Sequence, residues 1–302
     1  MGGISVVWPN FYVVGAAKCG TTSVWAYLRK HPQVFLPKMK DPSYFISAPR
    51  RPGPDHCVGN LEAYQSLYRG AKGYKAIGDT TTGYLFDRNV PGRIHEVCPH
   101  ARIVILLRDP VARAYSNYYM FERYGVERLP FFEAVQRDHS KAIETNNFGA
   151  LFPQLYVELG LYYEQVLRYI ETFGREQVGI FLFEDMQKDT RKVMSSICCH
   201  IGVDPALMDS KELARRHNPG RVPRVRWLYH AARAVLSQPL RRKIFPVSVR
   251  DWLGESPLFY KGYKQPRDER ATKYLQSIYD PDLRRLEELL ERKLPELRSS
   301  WV

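Results

Sequence analysis

Cysteine is scarce and unpaired in this sequence. The five residues, Cys19, Cys57, Cys98, Cys198 and Cys199, include one adjacent pair and no C-x-x-C spacing. An odd count without a framework argues against a disulfide scaffold, points to a reducing compartment and offers no paired ligands for a zinc site. The eight histidines show no metal-ligand spacing either, and only His56 is singled out for its place in a loop. No stretch approaches the roughly 20 apolar residues of a membrane helix. Met1 to Val14 is apolar but lacks the basic start and long apolar run of a secretory leader. The expected location is therefore cytoplasmic. Internal repeats and low-complexity tracts are missing too. Acidic residues are the minority charge, 32 against 45 Lys and Arg, for a formal +13. That balance favours anionic partners, and charge alone does not choose among nucleic acid, a phosphate-bearing cofactor and an anionic membrane surface.

What the chain has is core-forming material. Of 302 residues, 44% are hydrophobic and 13% aromatic, enough for one large α/β domain. Phe11 to Val14 reads as a short buried strand ending in Gly15, and Val24, Tyr27 and Leu28 follow at helical spacing until His31-Pro32. Tyr74 to Asp79, Arg102 to Leu107 and Gln177 to Phe183 read as further strands. Val111 to about Arg123 reads as a helix, and so does a long segment with Leu159, Tyr162, Val166, Ile170 and Phe173 on one face. Strands alternating with helices imply a parallel sheet covered on both faces. The expected architecture is one α/β domain over 1–302, P-loop-like. An α/β core runs over about 8–205, and a helical, basic C-terminal cover over about 206–302. Within that cover Arg215 to Lys264 is dense in Arg, Lys and aromatics. It reads as a solvated cover, a surface for an anionic or lipidic acceptor, or a nucleic-acid patch, and the core-like spacing of its aromatics disfavours the last. Glu269 to Arg292 reads as a helix that Pro281 should split.

The first chemical constellation is Gly15-Ala16-Ala17-Lys18-Cys19-Gly20-Thr21-Thr22, between a buried strand and a helix. Such a turn presents unpaired N–H groups reinforced by the helix dipole; Lys18 adds a full charge and Thr21 and Thr22 add hydroxyl donors. The nucleoside-triphosphatase P-loop places its lysine after the second glycine. Here it comes before, and no acidic metal ligand follows cleanly, since Arg108 intervenes before Asp109. The turn suits a phosphosulfate held by protein cations better than a magnesium-bound triphosphate. The second constellation is Arg108-Asp109-Pro110 through Ser116, with Arg108 at the C-terminal edge of the strongest strand, where open α/β sheets bind ligands. A guanidinium fork and a hydroxyl are suited to a second phosphate; a structural salt bridge is the alternative for Arg108. Arg113 and Tyr118 read as packing or surface residues.

These residues resemble the PAPS-dependent sulfotransferases, in particular the branch of bacterial and heparan-sulfate-type enzymes. By that resemblance the donor is 3′-phosphoadenosine 5′-phosphosulfate (PAPS), the product is 3′,5′-diphosphoadenosine, and no metal is needed. Lys18 would meet the bridging oxygen. The Lys18-Cys19-Gly20-Thr21-Thr22 turn would cradle the 5′-phosphate, and Arg108 and Ser116 would hold the 3′-phosphate. Tyr260-Lys261-Gly262-Tyr263 is similar to a loop that closes over the nucleotide, with Lys261 and Gly262 carrying over and Tyr263 departing from the usual arginine. Tyr279 to Leu283 and Trp301 are similar to the family's terminal helix and tryptophan. Lys40-Asp41-Pro42-Ser43-Tyr44-Phe45 carries Asp41 where the family has its glutamate base and Ser43 where many relatives have histidine. Gly78-Asp79-Thr80-Thr81-Thr82 carries Thr80 in place of a lysine.

Sulfuryl transfer resembles phosphoryl transfer in being an in-line displacement governed by positioning and electrostatics. A carboxylate beside the acceptor hydroxyl would take its proton. Asp41 is the first candidate, with a turn or N-cap role before Pro42 as the alternative. Asp79 is the rival, with an Asx turn or a cation partner as its alternative. The expected acceptor is a hydroxyl on a carbohydrate or lipid-linked glycan, with peripheral contact to an anionic membrane and no nucleic acid. The competing readings are a P-loop nucleotide kinase and a non-catalytic basic binding protein.

Overall fold

The computed structural model describes residues 7–46, 58–123, 126–145, 155–214, 221–223, 260–262 and 267–301. His56, Cys57 and nearly all of the basic aromatic segment 215–264 lie outside the described residues. Five parallel strands form the sheet in the order β2-β3-β1-β4-β5: β1 (Phe11–Gly15), β2 (Val34–Phe35), β3 (Ala76–Thr80), β4 (Arg102–Leu107) and β5 (Val178–Leu182). The register pairs Phe11 with both Gly78 and Arg102, and Ile103 with Val178. β1 is buried at all five positions, and β4 from Ile103 to Leu107 is fully buried, the run-on apolar signature of strands covered on both faces.

The helices are α1 (Thr21–Leu28), α2 (Leu61–Ser66), α3 (Val90–Val97), α4 (Pro110–Arg123), α5 (Phe131–Thr145), α6 (Tyr162–Phe173), α7 (Phe183–Lys188), α8 (Thr190–His200), α9 (Ser210–Leu213) and α10 (Glu269–Leu289). β6 (Arg221–Pro223) and β7 (Tyr260–Gly262) form a separate antiparallel ribbon. α4, α5 and α10 enclose a second apolar cluster of Val111, Tyr115, Phe131, Val135, Leu275 and Tyr279. The last helix is thereby built into the core.

Two local expectations change. Pro281 does not split α10, which runs unbroken through it. Tertiary anchors on both sides hold it: the Tyr279 hydroxyl meets the Tyr156 and Val157 carbonyls at 3.0 and 3.1 Å, and Leu275, Tyr279, Leu283 and Leu286 share one fully buried stripe. Burying that stripe outweighs the hydrogen bond a proline cannot make. Leu159, expected within the α6 helix, lies instead in a short 3-10 turn. α6 begins at Tyr162 because the Asp282 carboxylate accepts from the Tyr162 and Tyr163 N–H groups at 2.7 and 3.2 Å and caps it there.

The four described cysteines carry free thiols. Among the described residues no helix is long and apolar enough to cross a membrane, and no His, Cys, Asp and Glu group is arranged to hold a metal ion.

Candidate active site

Parallel strands end at one edge. Lys18 after β1, Asp79 to Thr82 around the end of β3, Arg108 after β4 and Phe183-Glu184 after β5 therefore share one rim. β1 has β3 on one side and β4 on the other, so the chain reverses its winding there, the position where open α/β sheets place ligands.

The turn after β1 is set by two left-handed residues, Lys18 with φ 72° and Gly20 with φ 88°. Gly20 is needed twice over. Its φ suits glycine, and a Cβ there would sit 2.6 Å from Met186 Cε and 2.8 Å from the Phe183 ring. No side chain caps α1, and the Thr21 and Thr22 N–H groups open its first turn, where no earlier helical carbonyl is in reach. The half-buried Lys18 ammonium donates to Met120 Sδ at 3.3 Å. Burial, then Arg123, Arg108 and Arg113, lower its pKa from 10.5 to about 8. Cys19 departs from the expectation for this loop. Its thiol is fully buried beside the Tyr162 hydroxyl at 3.8 Å, its N–H donates to the Ala16 carbonyl at 3.3 Å, and burial pushes its pKa up to about 12. Its thiol packs into the core, and its N–H is engaged within the turn.

Arg108 joins the second constellation to the first: its Nη1 donates to the Lys18 carbonyl at 3.2 Å. The guanidinium lies over the Phe183 ring, 4.7 Å from its centroid, a cation–π arrangement that fixes its plane. The Tyr162 hydroxyl donates to the Arg108 carbonyl at 2.8 Å, and Asp109 caps α4 through the Ala112 N–H at 3.0 Å. Glu184 accepts the Asp109 N–H at 3.0 Å, and burial raises its pKa to about 7. Arg108 Nε is buried without a hydrogen-bond partner, and no ion pair occupies this guanidinium among the described residues. The structural salt bridge that is the alternative for Arg108 is not formed among the described residues. Ser116 stands half-buried about two turns along α4.

The carboxylates differ sharply. Asp41 is a partly exposed side chain (36%) whose Oδ1 accepts from the Thr82 N–H at 2.8 Å and the Thr82 hydroxyl at 3.1 Å, while Oδ2 faces Lys40 Nζ at 2.7 Å. Asp41 and Ser43 both have φ 58°, around Pro42. Asp79 is fully buried. Its Oδ2 accepts from the Tyr64 and Tyr84 hydroxyls at 2.8 and 2.9 Å and its Oδ1 from Thr81 at 2.7 Å. Burial outweighs these three donors and raises its pKa to about 6. Among the described residues no cation meets Asp79, and it is fully buried where Asp41 is partly exposed. Thr80, where the resemblance leads one to expect a lysine, is buried with an unpartnered hydroxyl.

The sulfotransferase domain family matches residues 9–217. The chain belongs to that family. A sulfotransferase of known structure from Alicyclobacillus acidocaldarius superposes with a TM-score of 0.73 at 28% identity, over 97% of this chain and 100% of that one. Human carbohydrate sulfotransferase 15 is 25% identical over 263 residues, 70% of this chain and 46% of the relative. The membrane-associated sulfotransferase kil1 of Dictyostelium discoideum is 37% identical over 168 residues, 47% of this chain and 35% of the relative. The chain thus spans less than half the length of these curated relatives.

In this sulfotransferase chain the structure brings together Lys18, Gly20, Thr21, Thr22 and Arg108, with Asp41 on the neighbouring β3 side of the rim. Lys261 and Gly262 lie in β7 opposite Val222 and Arg221. Sequence reasoning missed Met120, Tyr162, Phe183 and Glu184. The last two had a readable signal, since they follow the β5 run and every strand of a parallel sheet ends at the same edge. Arg113, read as packing or surface, is fully buried. It donates through Nη2 to the Tyr156 carbonyl, while Nε and Nη1 lack hydrogen-bond partners.

Proposed function

We propose that this chain transfers a sulfuryl group from PAPS to an acceptor hydroxyl on a carbohydrate or lipid-linked glycan. The observation that carries the reading is the Arg108 to Lys18 carbonyl bond at 3.2 Å. It puts two separate cationic constellations on one rim, as an adenosine with phosphates at both ends requires. The residues fit that nucleotide: the open first turn of α1 and Lys18 suit the 5′-phosphosulfate, and the buried, unpartnered Arg108 Nε with the Ser116 hydroxyl suits the 3′-phosphate. When bound, PAPS supplies an activated sulfuryl group on a phosphate leaving group.

Lys18 holds its proton toward the leaving oxygen and opposes the charge that gathers there. For that its ammonium must leave the Met120 sulfur, a weak acceptor and a shallow resting place. Asp41 takes the acceptor proton at Oδ2, the oxygen that faces Lys40, while Oδ1 stays fixed on Thr82. The carbohydrate acceptor is supported by the relatives, which include carbohydrate sulfotransferase 15 and heparan sulfate glucosamine 3-O-sulfotransferase 6.

A thermal-shift comparison tests the nucleotide. Stabilisation by 3′,5′-diphosphoadenosine without magnesium supports the reading, and stabilisation by ATP with magnesium alone overturns it in favour of a kinase. Incubation with labelled PAPS and a panel of glycan, glycolipid and phenol acceptors then tests transfer, with Asp41→Ala expected to lose about 10²- to 10⁴-fold in turnover.

A further inference from the structure

The Asp79 carboxylate lies fully buried at the end of β3 and meets no cation among the described residues. A charge so placed is costly, and its partners show what it organises. An ionised carboxylate only accepts hydrogen bonds, so the hydrogens of Thr81, Tyr64 and Tyr84 all point at it. Each hydroxyl has a single hydrogen, and its lone pairs are left to face elsewhere. Thr81 Oγ1 accepts from the Ser43 N–H at 3.3 Å, and the Tyr84 hydroxyl accepts from the Phe45 N–H at 3.4 Å. Two relays therefore run from one carboxylate to alternate amides of the turn that carries Asp41.

That turn needs holding. Asp41 and Ser43 are both left-handed at φ 58° without being glycine, and such residues persist only where the surroundings over-determine them. Direct bonds supply part of the grip: the Asp41 N–H to the Thr80 carbonyl at 2.9 Å and the Val58 N–H to the Pro42 carbonyl at 2.9 Å. The relays supply the grip on either side of Tyr44.

We infer that Asp79 is a positioning residue, whose carboxylate orients the Thr81 and Tyr84 hydroxyls so that they clamp the Ser43 and Phe45 amides and set Asp41 toward the acceptor. An asparagine in its place brings two N–H donors, so at least one hydroxyl must turn its hydrogen away and release its amide. The inference rests on the reading of Asp41 as the base, and its test separates the two. Amide exchange over 41–46 and PAPS-dependent transfer are measured on the full chain as wild type, Asp79→Asn and Thr81→Val. The expected result for Asp79→Asn is exchange over 41–46 faster by about three- to tenfold, the loss of a modest hydrogen bond. Exchange in β4 should be unchanged. Turnover should fall about 10²-fold, as for a misplaced catalytic group, while the KM for PAPS and the thermal shift by 3′,5′-diphosphoadenosine stay at wild-type values. Thr81→Val keeps the carboxylate and removes one relay, so it should show the same pattern to a smaller degree, and it decides the matter if Asp79→Asn does not fold. Unchanged exchange over 41–46 in either folded variant overturns the relay. Faster exchange with wild-type turnover overturns its positioning role. A wild type that transfers nothing refutes the proposed activity, and the exchange measurement still judges the relay.

Discussion

The guanidinium of Arg108 donates to the main-chain carbonyl of Lys18 across 3.2 Å. One fork of the arginine is thereby spent on holding the neighbouring loop, while Nε stays buried and unpartnered. On the proposed reading Arg108 has two tasks at once, fixing the Lys18 turn and offering donors to a phosphate. Arg108→Ala removes both, and we expect 3′,5′-diphosphoadenosine to bind about 10- to 100-fold more weakly, the worth of a charge-assisted bond. Arg108→Lys should restore little of this, because a point charge cannot span the carbonyl and the phosphate together. Isothermal titration of the folded variants checks it, and full recovery by lysine would contradict the forked geometry.

Protonation brackets the active range. Lys18 has its pKa lowered to about 8 by burial and nearby arginines, so kcat/KM should fall as pH rises through about 8 in the free enzyme. Lys18→Arg should keep its charge and lose that alkaline limb even if turnover drops. Folding stability has the opposite trend there. The unfolded chain holds the Lys18 proton up to 10.5, so between about 8 and 10.5 stability gains as pH rises. Asp79 bounds the acid side. Burial raises its pKa from 3.8 to about 6, so below about 6 it takes a proton and one hydroxyl must find another acceptor. Its contribution to stability is fully present below about 4 and lost as pH rises through about 6, whereas activity needs the ionised form. A pH–rate profile of wild type and Asp79→Asn separates the two, the variant lacking the acid limb near 6.

The Gly20 position carries a steric prediction. Alanine there must adopt φ 88° and places its Cβ 2.6 Å from Met186 Cε and against the Phe183 ring. Phe183 is the ring under Arg108, so the disturbance reaches both proposed phosphate sites. Gly20→Ala is expected to destabilise the fold by about 1–3 kcal/mol, the range of an overpacked or strained site, and to weaken 3′,5′-diphosphoadenosine binding. Chemical denaturation and calorimetric titration read these separately. A variant with unchanged binding would show that the turn has more room than the structure gives it.

Much of this arrangement was legible in the chain. Run-on apolar strands, the Gly15 to Thr22 turn and Arg108 after β4 are local signals, and a parallel sheet carries them to one edge without further information. Asp41 was named through the resemblance carried by Lys40 to Phe45, and the structure puts it against Thr82 just past the end of β3. The fate of Asp79 was not legible, because burial by Tyr64 of α2 and Tyr84 of the next turn comes from packing that no spacing encodes. The burial of the Cys19 thiol was hidden for a related reason. Its position in a binding loop says nothing about which way the side chain points, and the left-handed Lys18 before it turns the thiol toward Tyr162. Pro281 misled because its local effect on a helix is fixed, while the tertiary anchors that override it lie more than a hundred residues away, at Tyr156, Val157 and Tyr162.

Those anchors give a stability prediction that leaves the rim untouched. The Tyr279 hydroxyl is buried and meets the Tyr156 and Val157 carbonyls, and Arg113 Nη2 donates to the same Tyr156 carbonyl. Tyr279→Phe keeps the ring in the α4, α5 and α10 cluster and removes only the oxygen. It leaves each carbonyl with one donor fewer, while the Tyr156 carbonyl keeps Arg113 and the Val157 carbonyl keeps the Gly160 N–H. The expected cost is about 0.5–1.5 kcal/mol, the net worth of a hydrogen bond whose acceptors keep another donor, seen as a lower midpoint in denaturant with an unchanged slope. Tyr279→Leu should cost more, since the ring's packing goes as well. If phenylalanine proves neutral, the hydroxyl does not anchor the helix, and the continuity of α10 through Pro281 rests on its apolar stripe and on Asp282.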